Sequence, residues 1–320
     1  MLIKTALSIA SPAGPSGKLS IFIFHRVLPQ PDPLFPDEPC SHRFDEIMGW
    51  VARWFNTLPL EEAVERLGQG QLPARAAAIT FDDGYADNLL QATPILKKHG
   101  LHATFFISTG FLDGGIMWND VIIESIRSAK LSHLNLSFLD LGTLMIGTHN
   151  EKRSAIDQVI RLIKHRPGEN RDEIVERIRE ACGGYIPQDL MLTTTQMRAL
   201  RQSGMSIGAH TVSHPILAKL DEQAAIHEIA DSRDYLEGQL REKVPLFAYP
   251  NGKLGADYTV GHAEIARKLG FQAAVSTNWG VCSSRSNIFQ LPRFTPWDRN
   301  LIKFGLRMFS NYRHDKAVHG

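Results

Sequence analysis

Two adjacent carboxylates end a charge-free apolar run. Ala76, Ala77, Ala78, Ile79 and Phe81 read as a buried strand, and Asp82-Asp83-Gly84 stops it. Neighbouring carboxylates repel, so a buried pair costs free energy unless a cation or hydrogen bonds offset it. Such a pair at the carboxyl end of a strand stands where α/β proteins keep their chemistry. The same residues also suit a plain turn, because Asp-Gly is a common turn dipeptide. Further on, His210-Thr211-Val212-Ser213-His214-Pro215 follows a second apolar strand and sets two imidazoles four residues apart. Pro215 would cost a helix a hydrogen bond, so the pair belongs to a loop. In a chain with 13 histidines the spacing alone fits structural use as well as ligation. Two histidines and one carboxylate, however, make an open zinc or iron site with room for water and substrate. A second carboxylate beside the first can then take a proton from that water. Because both pairs end apolar strands, the metal reading is favoured.

The elements that must position these residues follow from periodicity. Seven short runs read as strands, most of them followed by a helix: residues 19–24, 76–81, 102–108, 205–209, 246–249, 272–276 and 288–291. Strand, helix, strand at this spacing gives parallel pairing. The pattern predicts an α/β fold with a parallel sheet, open or closed into a barrel. Polar residues cluster at the strand ends: His25, Asp82, Asp83, His210, Asn251 and Arg293. A helix is expected over 85–99. Residues 131–144 alternate weakly, as an edge hairpin would, and 152–164 and 171–182 read as charged amphipathic helices. The stretch 130–192 is therefore expected to be an insertion within one domain covering 1–320.

Composition sets outer limits. Of 320 residues, 43% are hydrophobic and 22% charged, ordinary for a globular protein. The net charge of +1 gives no footprint for a nucleic-acid partner. Cys40, Cys182 and Cys282 are far apart, with no Cys-x-x-Cys pair for a thiolate metal site. No apolar run reaches the length of a membrane span. The first ten residues carry a thin apolar patch without a clear cleavage site, so a cytoplasmic or membrane-peripheral location is expected. The stretch 301–313 sets Leu301, Ile302, Phe304, Leu306 and Phe309 beside Lys303, Arg307 and Arg313. It suits either a last barrel helix or peripheral contact with a membrane surface. Trp118 and Trp279, expected in loops, suit sugar stacking or core packing.

Thr80-Phe81-Asp82-Asp83-Gly84 resembles one signature of the polysaccharide deacetylase family (the NodB-homology domain, carbohydrate esterase family 4). Gly208-Ala209-His210-Thr211-Val212-Ser213-His214-Pro215 resembles a second. The resemblance spans about residues 19–295 and points to the exopolysaccharide subgroup. It implies a distorted (β/α) barrel of about seven parallel strands. It implies that Asp83, His210 and His214 bind a divalent ion, usually zinc, and that Asp82 is the general base for hydrolysis of an N-acetyl group on a hexosamine-containing glycan. A third family motif survives in Phe247-Ala248-Tyr249-Pro250-Asn251-Gly252 only through its last proline and glycine. Ala248 stands where the family has an arginine, and the backbone N–H of Asn251 matches its oxyanion donor. The family's late histidine motif is absent, with Leu291-Pro292-Arg293-Phe294 near that place. Arg293 is therefore expected to orient Asp82 or hold substrate. His25, or Asp82 returning its own proton, is expected to be the acid. Tyr249, Asn251, Arg293 and Trp118 are the expected substrate contacts. Rival readings are another C–N hydrolase on this fold, such as a deformylase or amidase, and a catalytically weak glycan-binding module.

Overall fold

The structure is a computed structural model that describes residues 2–166, 168–296 and 298–312. At its centre, strands β1 (Leu19–Phe24) and β3 (Ala76–Phe81) are buried along their whole length. Such near-continuous apolar runs suit strands covered on both faces. They pair in parallel from Leu19 opposite Ala76 to Phe24 opposite Phe81. The two-residue β2 (Asn56–Thr57) joins the start of β3, and β4 (Thr104–Ile107) joins its end. A separate antiparallel hairpin holds β5 (His133–Asn135) and β6 (Thr143–Met145). The main sheet then continues through β7 (Ser206–Ala209), β8 (Leu246–Ala248), β9 (Ala273–Trp279) and β10 (Leu291–Arg293), all parallel. Just past β10, Phe294 N–H donates to Ile21 O at 2.8 Å and Phe294 O accepts from Ile23 N–H at 3.0 Å. The last strand thus returns to the first, and the sheet is nearly closed into the expected distorted barrel.

Strand period 2 divides the apolar residues into two sets. Ile21, Ala78, Phe106, Ala248 and Val275 belong to one cluster, capped by Leu60, Val64 and Leu67 of a helix, α3, described below. Phe22, Phe24, Ile79, Phe81, Phe105 and Phe247 belong to the larger cluster under the other helices. Gly208 makes room for Phe106: a Cβ there would lie 2.4 Å from its ring.

The helices are α1 (Leu2–Ala10), α2 (Ser41–Trp54), α3 (Leu60–Gly68), α4 (Thr93–Lys98), α5 (Trp118–Ser128), α6 (His149–Ile163), α7 (Gly168–Cys182), α8 (Thr194–Gln202), α9 (Glu222–Leu240), α10 (Val260–Lys268) and α11 (Leu301–Asn311). A third apolar cluster joins Ile122 and Ile126 of α5 to Ile156, Val159 and Ile163 of α6 and Ile178 of α7. The hairpin belongs to this cluster and does not extend the edge of the main sheet.

The expected helix over 85–99 is present from 87 to 98, with one departure: residues 88–92 form a π turn before the α-helical 93–98. Pro94 has no N–H for the Leu90 carbonyl, so the α ladder fails there, while Thr93 N–H closes on Asn88 O in π register. Tyr85 instead bridges Met191. The last strand lies at 291–293, a few residues beyond its expected place. Trp118 opens α5, and Trp279 ends β9 instead of lying in a loop. α11 turns Phe304 and Met308 inward, Phe304 stacking on Trp54, and leaves Ile302 and Leu306 exposed. Arg313 lies outside the described residues. All three cysteines are free thiols, and no described helix is long and apolar enough to cross a membrane.

Candidate active site

The strand ends converge on a cavity of about 340 Å³ lined by His25, Asp82, Asp83, His210, His214 and Asn251. Asp82 and Asp83 follow β3, and the alternation of the strand separates their side chains. Asp82 turns to Arg293, which reaches it from β10 by two parallel bonds, Nη1 to Oδ1 at 2.7 Å and Nη2 to Oδ2 at 2.6 Å. Arg293 also donates from Nε to Ser276 O and is only 1% exposed. Burial alone would raise the Asp82 pKa, but the guanidinium together with His210 and His25 outweighs it and holds the carboxyl below its usual range.

Asp83 faces the histidines. Its Oδ1 lies 3.4 Å from His210 Nε2 and 3.3 Å from His214 Nε2. The three ligand atoms lie within 4.8 Å of one another. Asp83 Oδ1 is buried and has no hydrogen-bond partner. A buried orphan oxygen is costly. His210 Nδ1 lies 2.8 Å from Ala248 O, and donation there leaves Nε2 with its lone pair toward Asp83. A tetrahedral ion with ligands at about 2.0–2.1 Å spaces them about 3.3–3.4 Å apart. The donor set and its spacing therefore fit a zinc-like cation.

Electrostatics divides the two imidazoles. Burial pushes His214 down to about 4 despite the Asp83 charge. For His210 burial acts the same way, but Asp82 and Asp83 together outweigh it and raise the group. Burial would raise Asp83 too, and the histidines pull it well below the usual carboxylate range.

The backbone is strained at this edge. Asp83 (φ 76°), Thr211 (φ 65°), His214 (φ 53°) and Asn251 (φ 58°) all occupy the left-handed region. Non-glycine residues pay to stay there and persist where surroundings over-determine them. At the histidine loop the surroundings are visible. Glu228 of α9 accepts from Val212 N–H and Ser213 N–H, each at 2.9 Å, and from the Ser213 hydroxyl at 2.6 Å. Thr211 Oγ1 accepts from His214 N–H at 3.1 Å. Asn251 is pinned through its carbonyl, which accepts from the Thr277 hydroxyl at 2.6 Å. Among the described residues its N–H has no protein partner.

His25 ends β1 with its side chain exposed in the cavity, while its carbonyl accepts from Asn88 Nδ2 at 2.8 Å. It is not a buried structural histidine. One expected contact is corrected. Tyr249 is fully buried, stacked on Tyr258 and donating its hydroxyl to Phe289 O, so its side chain does not meet the cavity. Arg293 is buried against Asp82, which is the first of the two places expected for it. Trp118 lies beside the site, but the Arg171 guanidinium covers its ring at 5.0 Å. Trp279 donates to Asn311 Oδ1 and meets Phe294 edge-on.

Several cavity residues had no claim from sequence. Asp120 of α5 accepts from the Tyr85 hydroxyl at 3.0 Å, and burial lifts its carboxyl to about 7. Arg26 pairs with Asp87 at 2.8 Å and lies over the Tyr85 ring. Position gave a hint for both: Arg26 follows His25, and Asp120 opens a helix after Trp118. Nothing in the sequence marked Glu228, one acid in a long amphipathic helix. A larger cavity of about 980 Å³ adjoins the first at His25 and Glu38, walled by the proline-rich loop around residues 31–39.

A family model described as polysaccharide deacetylase matches residues 69–137 and 143–274. YxkH of Bacillus subtilis (strain 168), whose name carries the same description, is 25% identical over 278 residues, 86% of this chain and 70% of that protein. The deacetylase PplD of Streptococcus pyogenes, solved in complex with acetate, shares the fold with a TM-score of 0.59 at 23% identity, over 87% of this chain and 92% of that one. IcaB from Ammonifex degensii does so with a TM-score of 0.57 at 17% identity, over 93% and 98%. The BpsB deacetylase domain from Bordetella bronchiseptica gives 0.54 at 14%, over 87% and 95%. At these identities the three solved structures establish a common fold.

Proposed function

The chain belongs to the polysaccharide deacetylase family, and from that premise we propose that it is a metal-dependent hydrolase removing N-acetyl groups from hexosamine residues of a bacterial exopolysaccharide or cell-envelope glycan. The observation that carries this reading is the orphaned Asp83 Oδ1 between two imidazole Nε2 atoms, beside a second aspartate clamped by arginine.

In this reading Asp83, His210 and His214 hold one divalent ion, most simply zinc. When bound, the ion polarises the acetyl carbonyl and makes water a better nucleophile near neutral pH. Asp82 accepts the proton that water loses as its oxygen attacks the carbonyl carbon. Arg293 keeps Asp82 ionised and oriented, filling the place vacated by the arginine missing at Ala248. The unpartnered Asn251 N–H is aimed by strain and needs no particular side chain to receive the developing oxyanion. As the C–N bond breaks, the leaving amine takes a proton from His25, whose exposed ring stands on the same rim. Products are acetate and a free amine. The second cavity, reached past His25, gives a polymer somewhere to run.

Acetate release from N-acetylglucosamine monomer and oligomers, compared with formyl and non-sugar amide substrates, tests the reaction class. Asp82→Asn is expected to keep the metal and lower turnover by about 10²–10⁴-fold. Asp83→Asn is expected to lose metal as well. Equal metal loss in both variants would refute the division of labour. His25→Gln is expected to remove the alkaline limb of the pH–rate profile, and an unaltered profile would return the acid role to Asp82.

A further inference from the structure

We propose that the cavity between α5 and the α6–α7 turn is an anion subsite, so that the preferred glycan carries a carboxylate or phosphate next to the sugar that is deacetylated. The proposal rests on the deacetylase reading of the neighbouring site and names a substrate class within it.

The cavity measures about 170 Å³ and opens onto the presumed reaction centre, sharing Asp83, His214 and Asn251 with it. Its far wall holds Lys164, at the end of α6, and Arg171, in the first turn of α7, with Trp118 beside them. The pairing state of these cations sets them apart. The two arginines that line the main cavity are already neutralised: Arg26 by Asp87 at 2.8 Å and Arg127 by Asp32 at 2.7 Å. Lys164 has no ion pair or side-chain hydrogen bond among the described residues. Arg171 finds only Asp172, with 3.7 Å between Nε and the nearer oxygen, too long for a hydrogen bond. Its Nε is buried and unsatisfied. A buried donor without a partner is uncommon in a native fold and marks a place where a group is missing.

The ring of Trp118 adds to this. Arg171 lies over its face, with 5.0 Å between the guanidinium carbon and the ring centroid. A guanidinium is a planar fork of donors, which matches carboxylate and phosphate oxygens. Among the described residues the one carboxylate on the cavity, Asp83, belongs to the proposed ligand set and faces the imidazoles. One cation without an ion pair among the described residues, Lys164, and one held only by a long contact to the exposed Asp172, Arg171, thus face a space that touches the reaction centre. A neutral N-acetylhexosamine polymer offers them only uncharged acceptors, hydroxyl and acetamido oxygens. An acidic sugar unit or a phosphate-bearing unit beside the reacting residue supplies the missing charge.

The test uses the full chain loaded with zinc and three probes. These are the neutral tetramer of N-acetylglucosamine, a tetrasaccharide alternating N-acetylglucosamine with glucuronate, and an N-acetylglucosamine oligomer ending in a 1-phosphate. Dissociation constants are measured by calorimetry at low and high salt. At least one charged probe is expected to bind about tenfold tighter than the neutral tetramer at low salt, about 1.4 kcal/mol, and the advantage should shrink as salt rises. The charged probe that wins distinguishes carboxylate from phosphate recognition. In Arg171→Gln and in Lys164→Gln the charged-to-neutral ratio is expected to fall toward one, with Arg171→Lys keeping part of it. Lys164 ends a helix and is half-exposed, so its variant serves if Arg171→Gln misfolds. Equal affinity for all three probes, or a ratio that survives both substitutions, overturns the proposal. Acetate release is scored separately: a preserved charge ratio without acetate release from any probe would defeat the deacetylase reading and leave the subsite standing.

Discussion

The carboxyl edge of the barrel and the cluster built by α5, α6 and α7 meet at one cleft but are made differently. At the barrel edge, four non-glycine residues sit in the left-handed region, a carboxylate and a guanidinium are buried together, and one carboxylate oxygen is left without a partner. The helical cluster is regular. Its core is aliphatic at helical spacing, with Ala155, Ile156, Val159 and Ile163 on the inner face of α6. That helix begins with a capping box, Thr148 Oγ1 accepting from Glu151 N–H and Glu151 Oε2 from Thr148 N–H. Strain and buried charge are tolerated where seven strands over-determine the backbone. The helical region keeps regular geometry around its aliphatic core and supplies a wall, with its exceptions, Asp120 and the Nε of Arg171, on residues that line the cleft. Under the proposed function, the reaction chemistry belongs to the barrel edge and the helical wall selects what reaches it.

Breaking the buried ion pair should have the largest effect. Arg293→Met leaves Asp82 buried without its counter-ion, and loss of one partner of such a pair costs about 3–5 kcal/mol. Denaturant unfolding at pH 7 is the measurement, with Arg293→Lys expected to recover only part, since one ammonium cannot make two parallel bonds. A loss below 1 kcal/mol would mean that the barrel edge is no more demanding than the helical wall.

Asp120 sharpens the contrast, because α5 belongs to both regions. Its carboxyl is raised by burial from the ordinary 3.8 to about 7, so the folded chain holds this proton more tightly than the unfolded chain does. The stability it contributes is complete below the ordinary value and is lost as pH rises through about 7. Relative to Asp120→Asn, the native chain should lose about 3 kcal/mol between pH 5 and pH 8. Unfolding curves at the two values would show it, and parallel pH dependences for the two proteins would contradict it.

The smallest change tests the regular region. Thr148→Ala removes the cap of α6 and should cost about 1 kcal/mol. Metal stoichiometry is expected to stay at the native value, because the cap lies outside the ligand loops. Metal loss from this substitution would show that the two regions are coupled.

How far the sequence reached depended on the range of each signal. The strands announced themselves because burial on both faces leaves an uninterrupted apolar run, and each run ended where a polar residue stood at the rim. Asp82, Asp83, His210, His214 and His25 were legible for that reason: each lies within a few residues of the strand that carries it. The π turn inside the helix expected at 85–99 escaped notice because Pro94 sits early enough to pass as a helix start, while the register it breaks lies one turn before it. Tyr249 looked like a rim residue from its place in the chain. Its burial depended on Tyr258, which stacks on it from the loop before α10.

What the sequence alone determined is therefore the set of strands, their parallel arrangement and the chemistry offered at their ends. Only the tertiary structure decided which of those groups meet. Arg293 and Asp82 are 211 residues apart, and no local pattern reports that closing the barrel sets β10 beside β1 and β3. Glu228, 15 residues from the loop residue it binds, looked like any solvated acid until α9 packed beneath that loop. Lys164 and Arg171 are unremarkable charges on amphipathic helices in the chain. Their place on one cavity wall exists only once the helices are docked, because such a meeting is a property of distance in space, whereas periodicity and burial propensity are written along the chain.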